Sequence, residues 1–267
     1  MNFATIPTLR QTVTLLLVSA ASPLTAQSVA EKPQFTASLV PIGANSDAYW
    51  TGDGPGIKAV ALDPDAAPPA TLCVRDKKGF KVIPGTLNRP SIALPAASGV
   101  LRVFADQNGS EDQDPPLFGN FKIPTTPGHY DIFLNRAKER KGWDKPEFMV
   151  LPSSKTAFQP DSFRLVNLCD QPIKAKVAAA TVTLRPRSVK IVPAPNKGTM
   201  TLISVQAVHA NGDELRFIIR TGIRLEPGQR ANLVFYPGRD PKKPCLATWF
   251  HQAEPETEPM KKTETKT

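Results

Sequence analysis

The stretch Ile218 to Gly238, IIRTGIRLEPGQRANLVFYPG, sets two runs of β-favouring residues on either side of Glu226-Pro227-Gly228-Gln229. Pro227 pre-sets φ for the first central position of a turn, and Gly228 accepts the positive φ that a type II turn needs next, so the stretch reads as a β-hairpin. Further up the chain, Phe118 to Asn135 (FGNFKIPTTPGHYDIFLN) repeats the form, with Pro127-Gly128 between two strand-like runs. The echo predicts a chain built twice.

The rest of the sequence fits an all-β chain. Its 28 prolines among 267 residues are about twice average usage and are spread evenly, which breaks helices and punctuates short strands. In the first half, strand-like runs fall at Gln34 to Val40, Ile57 to Leu62, Thr71 to Arg75, Phe80 to Ile83, Ser91 to Leu94, Val100 to Ala105, Leu117 to Ile123, Tyr130 to Leu134 and Glu147 to Leu151. In the second they fall at Ser162 to Leu168, Ile173 to Ala178, Thr181 to Leu184, Val189 to Val192, Thr201 to Val208, Leu215 to Leu225 and Ala231 to Tyr236. Asn211-Gly212 has the chemistry of a tight type I′ hairpin. PSSKTAFQPD, residues 152–161, has the composition of a linker. The expectation is two tandem β-sandwich domains, residues 31–151 and 162–251, of immunoglobulin-like size.

The termini are of a different character. Residues 1–30 carry Arg10, an apolar run from Val13 to Ala21 and small residues at Ala26 and Ala30, the form of a secretory signal peptide, with cleavage after either alanine. The apolar run is well short of the ~20 residues that span a bilayer, and nothing later approaches that length. The chain is therefore expected to be exported, periplasmic or extracellular, with no membrane span after cleavage. Residues 252–267 are almost devoid of apolar side chains and read as a disordered tail. Export makes the three cysteines worth weighing. Cys73 and Cys169 fall in similar strand-like contexts, as equivalent positions of a repeat, which leaves Cys169 with Cys245 as the attractive disulfide; buried thiols are the other reading.

Charge divides the halves. Residues 31–162 hold 15 basic and 15 acidic side chains, whereas residues 163–251 hold 14 basic against five acidic. Arg216, Arg220 and Arg224 are evenly spaced, so an uninterrupted strand would project all three from one face, with Phe217, Ile219 and Ile223 turned to the core. Arg230, across the turn, joins them as a candidate binding residue. Such a row suits an anionic glycan or an acidic envelope protein, and it is also what the solvated face of an amphipathic strand looks like. A recognition helix, zinc knuckle or aromatic-interleaved basic motif is missing, so nucleic acid is not an expected partner.

Catalytic chemistry finds little support. His129, His209 and His251 are the only histidines and none has a second at ligand spacing, so no metal site is expected. Asp106 to Asp114 (DQNGSEDQD) offers alternating oxygens, but Gly109 comes too early for an EF-hand and the segment reads as a solvated loop. A Cys169 and His209 thiol dyad has nothing in the spacing to position it. No nucleophile elbow, phosphate loop or dinucleotide fingerprint occurs, so neither catalytic residues nor a cofactor are assigned. Trp50, Trp143 and Trp249 read as core or hinge anchors.

The opening of the second half, FRLVNLCDQPIKAKVAAATVTLRP, resembles the entry strands of immunoglobulin-like modules in exported bacterial proteins. The resemblance implies the sandwich and an envelope location, and carries no catalytic residues across. By architecture alone the chain is also similar to periplasmic pilus-assembly chaperones. The expected role is a non-enzymatic envelope protein that binds or scaffolds an anionic partner through its basic second domain. The alternatives are an assembly chaperone and a wall-polymer hydrolase, the latter needing paired carboxylates in a cleft.

Overall fold

The computed structural model describes residues 35–43, 49–51, 58–60, 67–76, 79–96, 99–105, 115–137, 140, 142–195, 201–211, 214–239 and 243–252, and among them it is all β, with no helix. Its strands are β1 (Phe35–Ile42), β2 (Tyr49–Thr51), β3 (Lys58–Val60), β4 (Thr71–Asp76), β5 (Gly79–Pro84), β6 (Leu94–Pro95), β7 (Val100–Ala105), β8 (Leu117–Lys122), β9 (Gly128–Asn135) and β10 (Glu147–Pro152), followed by β11 (Ser162–Asn167), β12 (Ile173–Val177), β13 (Ala180–Leu184), β14 (Ser188–Pro193), β15 (Thr201–Asn211), β16 (Glu214–Leu225), β17 (Arg230–Pro237) and β18 (Cys245–His251). The expected signal peptide, the acidic segment 106–114 and residues 253–267 lie outside the described residues. No described helix is long and apolar enough to cross a membrane.

Four open sheets of four strands carry the fold, beside the β2-β3 ribbon. Sheet I has the order β5-β4-β7-β8, sheet II β10-β9-β1-β6, sheet III β14-β11-β17-β18 and sheet IV β13-β12-β15-β16. Sheets I and II enclose one core, in which Leu72, Ile83, Leu101, Val103 and Phe121 meet Leu39, Leu94, Ile132 and Leu134. Sheets III and IV enclose a second, in which Phe163, Leu165, Leu233 and Phe235 meet Ile173, Ala175, Leu184 and Ile223. A third cluster joins sheet II to sheet III through Val40, Ile42, Phe133 and Leu151 on one side and Val166, Leu168, Val234 and Tyr236 on the other. Residues from Pro33 onward accordingly belong to one compact unit.

The middle sheets explain their own sequences. Residues 37–42 of β1, 130–135 of β9, all of β11 and residues 230–236 of β17 are buried without alternation, because one face packs on its own core and the other on the opposing middle sheet. Strands buried on both faces read as continuous apolar runs. β1 pairs parallel with β9, and β11 parallel with β17, at the centres of these sheets. The outer strands alternate, as β12 does with Ile173, Ala175 and Val177 inward and Lys174 and Lys176 exposed.

The chain follows the same path twice. In each half the first strand pairs parallel with the penultimate one, two hairpin-linked pairs build the outer sheet, and the last strand returns antiparallel. Both outer sheets carry a register shift at the same place, between Val103 and Phe104 in sheet I and between Ala207 and Val208 in sheet IV. The register sets Ser38 opposite Asp131 in sheet II and Arg164 opposite Asn232 in sheet III. Cys73, however, is the counterpart of Lys174 and not of Cys169: Leu72↔Ile83 and Ile173↔Leu184 open the equivalent hairpins, and Cys169 lies before β12.

Both expected Pro-Gly hairpins are corrected. Ile218 to Gly238 is not a hairpin, since β16 pairs with β15 in sheet IV while β17 pairs with β11 and β18 in sheet III. The turn chemistry was right and the pairing wrong: Gly228 has φ +77°, Gln229 N–H donates to Glu226 O at 3.0 Å, and the turn swings the chain from one sheet to the next. Asp161 holds it there by accepting from Gly228 N–H at 2.8 Å, at the head of the strand that becomes β17's parallel neighbour. Phe118 to Asn135 crosses from sheet I to sheet II in the same way. The segment 152–161 is packed down, with Ser153 buried and Phe158 at 0% exposure, and Gln252, assigned to the tail, is buried and hydrogen-bonded. β15 and β16 do form the hairpin expected at Asn211-Gly212, their last pair being Asn211↔Glu214.

Candidate functional site

The outer face of sheet IV carries a group of exposed basic residues. Directly paired residues share a face, and the register runs Thr181↔Lys176↔Gln206↔Arg220 in one line and Thr183↔Lys174↔Val208↔Phe217 in the next. Thr181, Thr183, Lys174, Lys176 and Arg220 are exposed, as is Arg224 opposite Leu202 further along the strand. Lys176 and Arg220 flank the same β15 position two strands apart, or about 10 Å. Arg224 meets Glu226 only at 3.9 Å with both side chains largely exposed, a pairing worth at most ~1 kcal/mol. Its charge stays available to a ligand.

The arginine row itself is interrupted. At the register shift Phe217 pairs with Val208 and Ile219 with Ala207, so Ile218 is an extra residue and the alternation changes parity there. Phe217, expected to face the core, is 72% exposed, while Ile223 is buried as expected. Arg216 pairs with His209 on the far side of the bulge, so even spacing does not carry from it to Arg220 and Arg224. Arg230 belongs elsewhere: it is 4% exposed and its Nη1 donates to Ser153 O and Phe158 O, each at 3.1 Å. What sequence reasoning missed is that β12 supplies two lysines to this face. Their alternation with Ile173, Ala175 and Val177 was the signal, but the neighbour relation of β12 and β16 across β15 was not legible.

Between sheets II and III lies a buried polar cluster. Arg164, 1% exposed, donates Nη2 to Asp131 Oδ2, Nε to Asn232 Oδ1 at 2.7 Å, Nη2 to Gln252 Oε1 at 3.3 Å and Nη1 to Pro152 O at 3.2 Å. Ser153 Oγ donates to Asp131 Oδ2 at 2.6 Å, and Asn232 Nδ2 to Gln252 Oε1 at 2.7 Å. The Arg164 guanidinium lies over the Phe158 ring at 4.5 Å and near Phe133 at 5.1 Å, and Arg230 reaches the same Phe158 at 5.3 Å. Burial alone would raise the Asp131 carboxyl, but hydrogen bonding from His129, the Arg164 charge and the Ser153 hydroxyl hold it down at about 2. Burial pulls Arg164 below its ordinary value, with Asp131 opposing and the Arg230 cation adding to the pull, yet guanidinium stays protonated in proteins.

The repeat accounts for the composition of this cluster. Ala37-Ser38-Leu39-Val40, Tyr130-Asp131-Ile132-Phe133, Phe163-Arg164-Leu165-Val166 and Ala231-Asn232-Leu233-Val234 are four versions of one pattern, a polar residue facing the opposing middle sheet among apolar ones. Ser153 N–H bonds His129 O at 2.8 Å and Gln252 N–H bonds Arg230 O at 2.7 Å, so these too are counterparts. Equivalent positions have thus diverged, with Ser38 answering to Arg164, Asp131 to Asn232, His129 to Arg230 and Ser153 to Gln252. The four-residue pattern was visible in the sequence; its partner sheet was not.

Thr36 Oγ1 lies 2.9 Å from His129 Nδ1, and His129 Nε2 lies 3.5 Å from Asp131 Oδ1, the ingredients of a hydroxyl, imidazole and carboxylate relay. The carboxylate of this arrangement is engaged in the polar cluster. Asp131 is at 0% exposure and committed to Arg164, Ser153 and Gln252, and the second ring nitrogen faces the buried Ser38 hydroxyl at 3.3 Å. The Cys169 and His209 dyad falls on a histidine side chain outside the described ones; Cys169 Sγ lies 2.9 Å from Cys245 Sγ. Trp143 is buried in the first core and Trp249 packs on the second. Among the described residues no group of three or more His, Cys, Asp or Glu is placed to hold a metal ion.

Fold and site together define an all-β protein with an outer basic sheet face. No protein-family model and no curated protein sequence matches the chain.

Proposed function

We propose that this is an exported cell-envelope protein, non-enzymatic, that binds or scaffolds an anionic partner through the outer face of sheet IV. On this reading the mature chain is two tandem β-sandwiches of immunoglobulin-like size, residues 31–151 and 162–251, with a connection order of their own and a shared middle interface. The observation that carries the reading is the set Lys174, Lys176, Arg220 and Arg224 on one exposed sheet face, interleaved with Thr181, Thr183 and the solvent-facing Phe217. Cations and hydroxyls on a flat sheet suit the carboxylates, sulfates or phosphates of an extended glycan polymer, and an apolar side chain among them suits its sugar rings. The apolar leader with Arg10 supports export.

The test is retention of the full chain on immobilised heparin, used as a generic anionic glycan, at physiological ionic strength. The variant K174E/K176E/R220E/R224E is expected to elute at much lower salt, whereas charge reversal at Arg75, Arg102 and Lys122 on sheet I changes elution little. Failure of the wild-type chain to bind at low salt, or equal losses in both variants, overturns the proposal. Mass analysis of protein recovered from the envelope, expected to begin at Gln27 or Glu31, tests export separately.

A further inference from the structure

We infer that Cys169 and Cys245 are joined by a disulfide in the mature protein, and that this bond fastens the last strand to the corner where the second half begins. Their Sγ atoms lie 2.9 Å apart, at a separation of 76 positions in sequence. Cys169 is 2% exposed and Cys245 4%, and both line the second core beside Phe163, Phe235 and Leu165. The backbone brings them together from both directions: Leu168 N–H donates to Phe235 O at 2.8 Å, and Cys245 is the register partner of Pro237. Cys169 N–H is itself fixed by Asn167 Oδ1 at 2.9 Å. Cys73 is in β4, on sheet I, and takes no part.

The chemistry is thiol–disulfide exchange with a disulfide oxidant, such as oxidised glutathione or a dithiol oxidoreductase in its disulfide form. One cysteine, as thiolate, attacks the oxidant's disulfide, forming a mixed disulfide and releasing one oxidant thiol. The second cysteine, as thiolate, attacks the mixed disulfide and releases the other. Two protons leave the protein thiols, two electrons pass to the oxidant, and one S–S bond is exchanged for another. Once packed, the Cys245 thiol is pushed up by its contact with Cys169 and by burial, so the thiolate needed for attack is scarce in the folded core.

What hangs on the bond is β18. This strand continues to Gln252, which bonds Asn232 and Arg164 in the middle interface. The link therefore secures the second core and the sheet II to sheet III contact together.

The experiment needs no assumption about export. The full chain is reduced, denatured and refolded in a glutathione redox buffer, then quenched with an alkylating agent under denaturing conditions. The expected product is lighter than the fully reduced chain by two hydrogen atoms before labelling, takes one alkyl group at Cys73, and yields a Cys169–Cys245 cross-linked peptide. Three alkylated cysteines, a stable glutathione adduct on either residue, or a cross-link through Cys73 overturns the proposal. The variant C169A/C245A removes dependence on correct refolding: wild-type unfolding is expected to shift to lower denaturant on adding reductant, and the variant's to stay unmoved. Equal responses of the two also refute it.

Discussion

Replacing Arg164 by methionine keeps the apolar stem and removes the buried cation bonded to Asp131, so it isolates the charge interaction between the middle sheets. Asp131, at 0% exposure, would keep its bonds from Ser153 and Gln252 but lose its counter-charge. Breaking one side of a buried pair costs roughly 3–5 kcal/mol. Asp131→Asn leaves the guanidinium uncompensated and is expected to cost a similar amount. The double variant R164M/D131N leaves no orphan charge, so it is expected to recover most of the loss. The assay is guanidinium unfolding followed by tryptophan fluorescence and far-UV circular dichroism, with Trp143 reporting the first core and Trp249 the second. Single-variant losses below ~1 kcal/mol, or a double variant that sums the two singles, would refute the reasoning, because an interface charge pair must show strong coupling.

Further outcomes follow from the same geometry. Asp131 titrates from 3.8 down to about 2, and a depressed carboxyl contributes stability above its unfolded value that is lost as pH falls through the folded one; about 2 kcal/mol should therefore disappear between about pH 4 and pH 2 in wild type, a loss that is absent in D131N, read by acid unfolding curves. Phe158→Ala empties the site beneath both guanidinium groups and should cost ~3–5 kcal/mol, measured by the same unfolding curves. Gly228→Ala meets no atom within 4 Å yet must hold φ +77°, so its cost is conformational, ~1–2 kcal/mol in midpoint shift. Loss of the proposed 76-residue cross-link should cost roughly 4–5 kcal/mol on the chain-entropy account.

The sequence spoke clearly where the signal is local. Most strand runs sit within a residue or two of their observed ends, and the type II chemistry of Pro227-Gly228 is realised in the backbone. Pairing was harder, because the same Pro-Gly turn serves a hairpin and a crossover alike, and only the company β17 keeps decides between them. ANLVFY is apolar on both faces, which belongs to a strand with covered faces and a parallel neighbour, whereas GIRL on β16 alternates. β18 is missing from the strand-like runs because CLATWFH follows a basic, proline-containing segment that masks its start. The bulge at Ile218 was equally invisible, and it alone separates Arg216 from Arg220 and puts Phe217 outside. Arg230 and Arg164 inflated the apparent surface charge of the second half, for both are buried against Phe158.

The claim that sheet IV is the binding face is most directly tested by backbone amide hydrogen exchange of the full chain with and without a sulfated oligosaccharide. Added protection or shifted exchange confined to β12, β15 and β16, abolished in K174E/K176E/R220E/R224E, is the predicted result. Changes centred on sheet I or on the middle sheets, or the same changes in that variant, would contradict it.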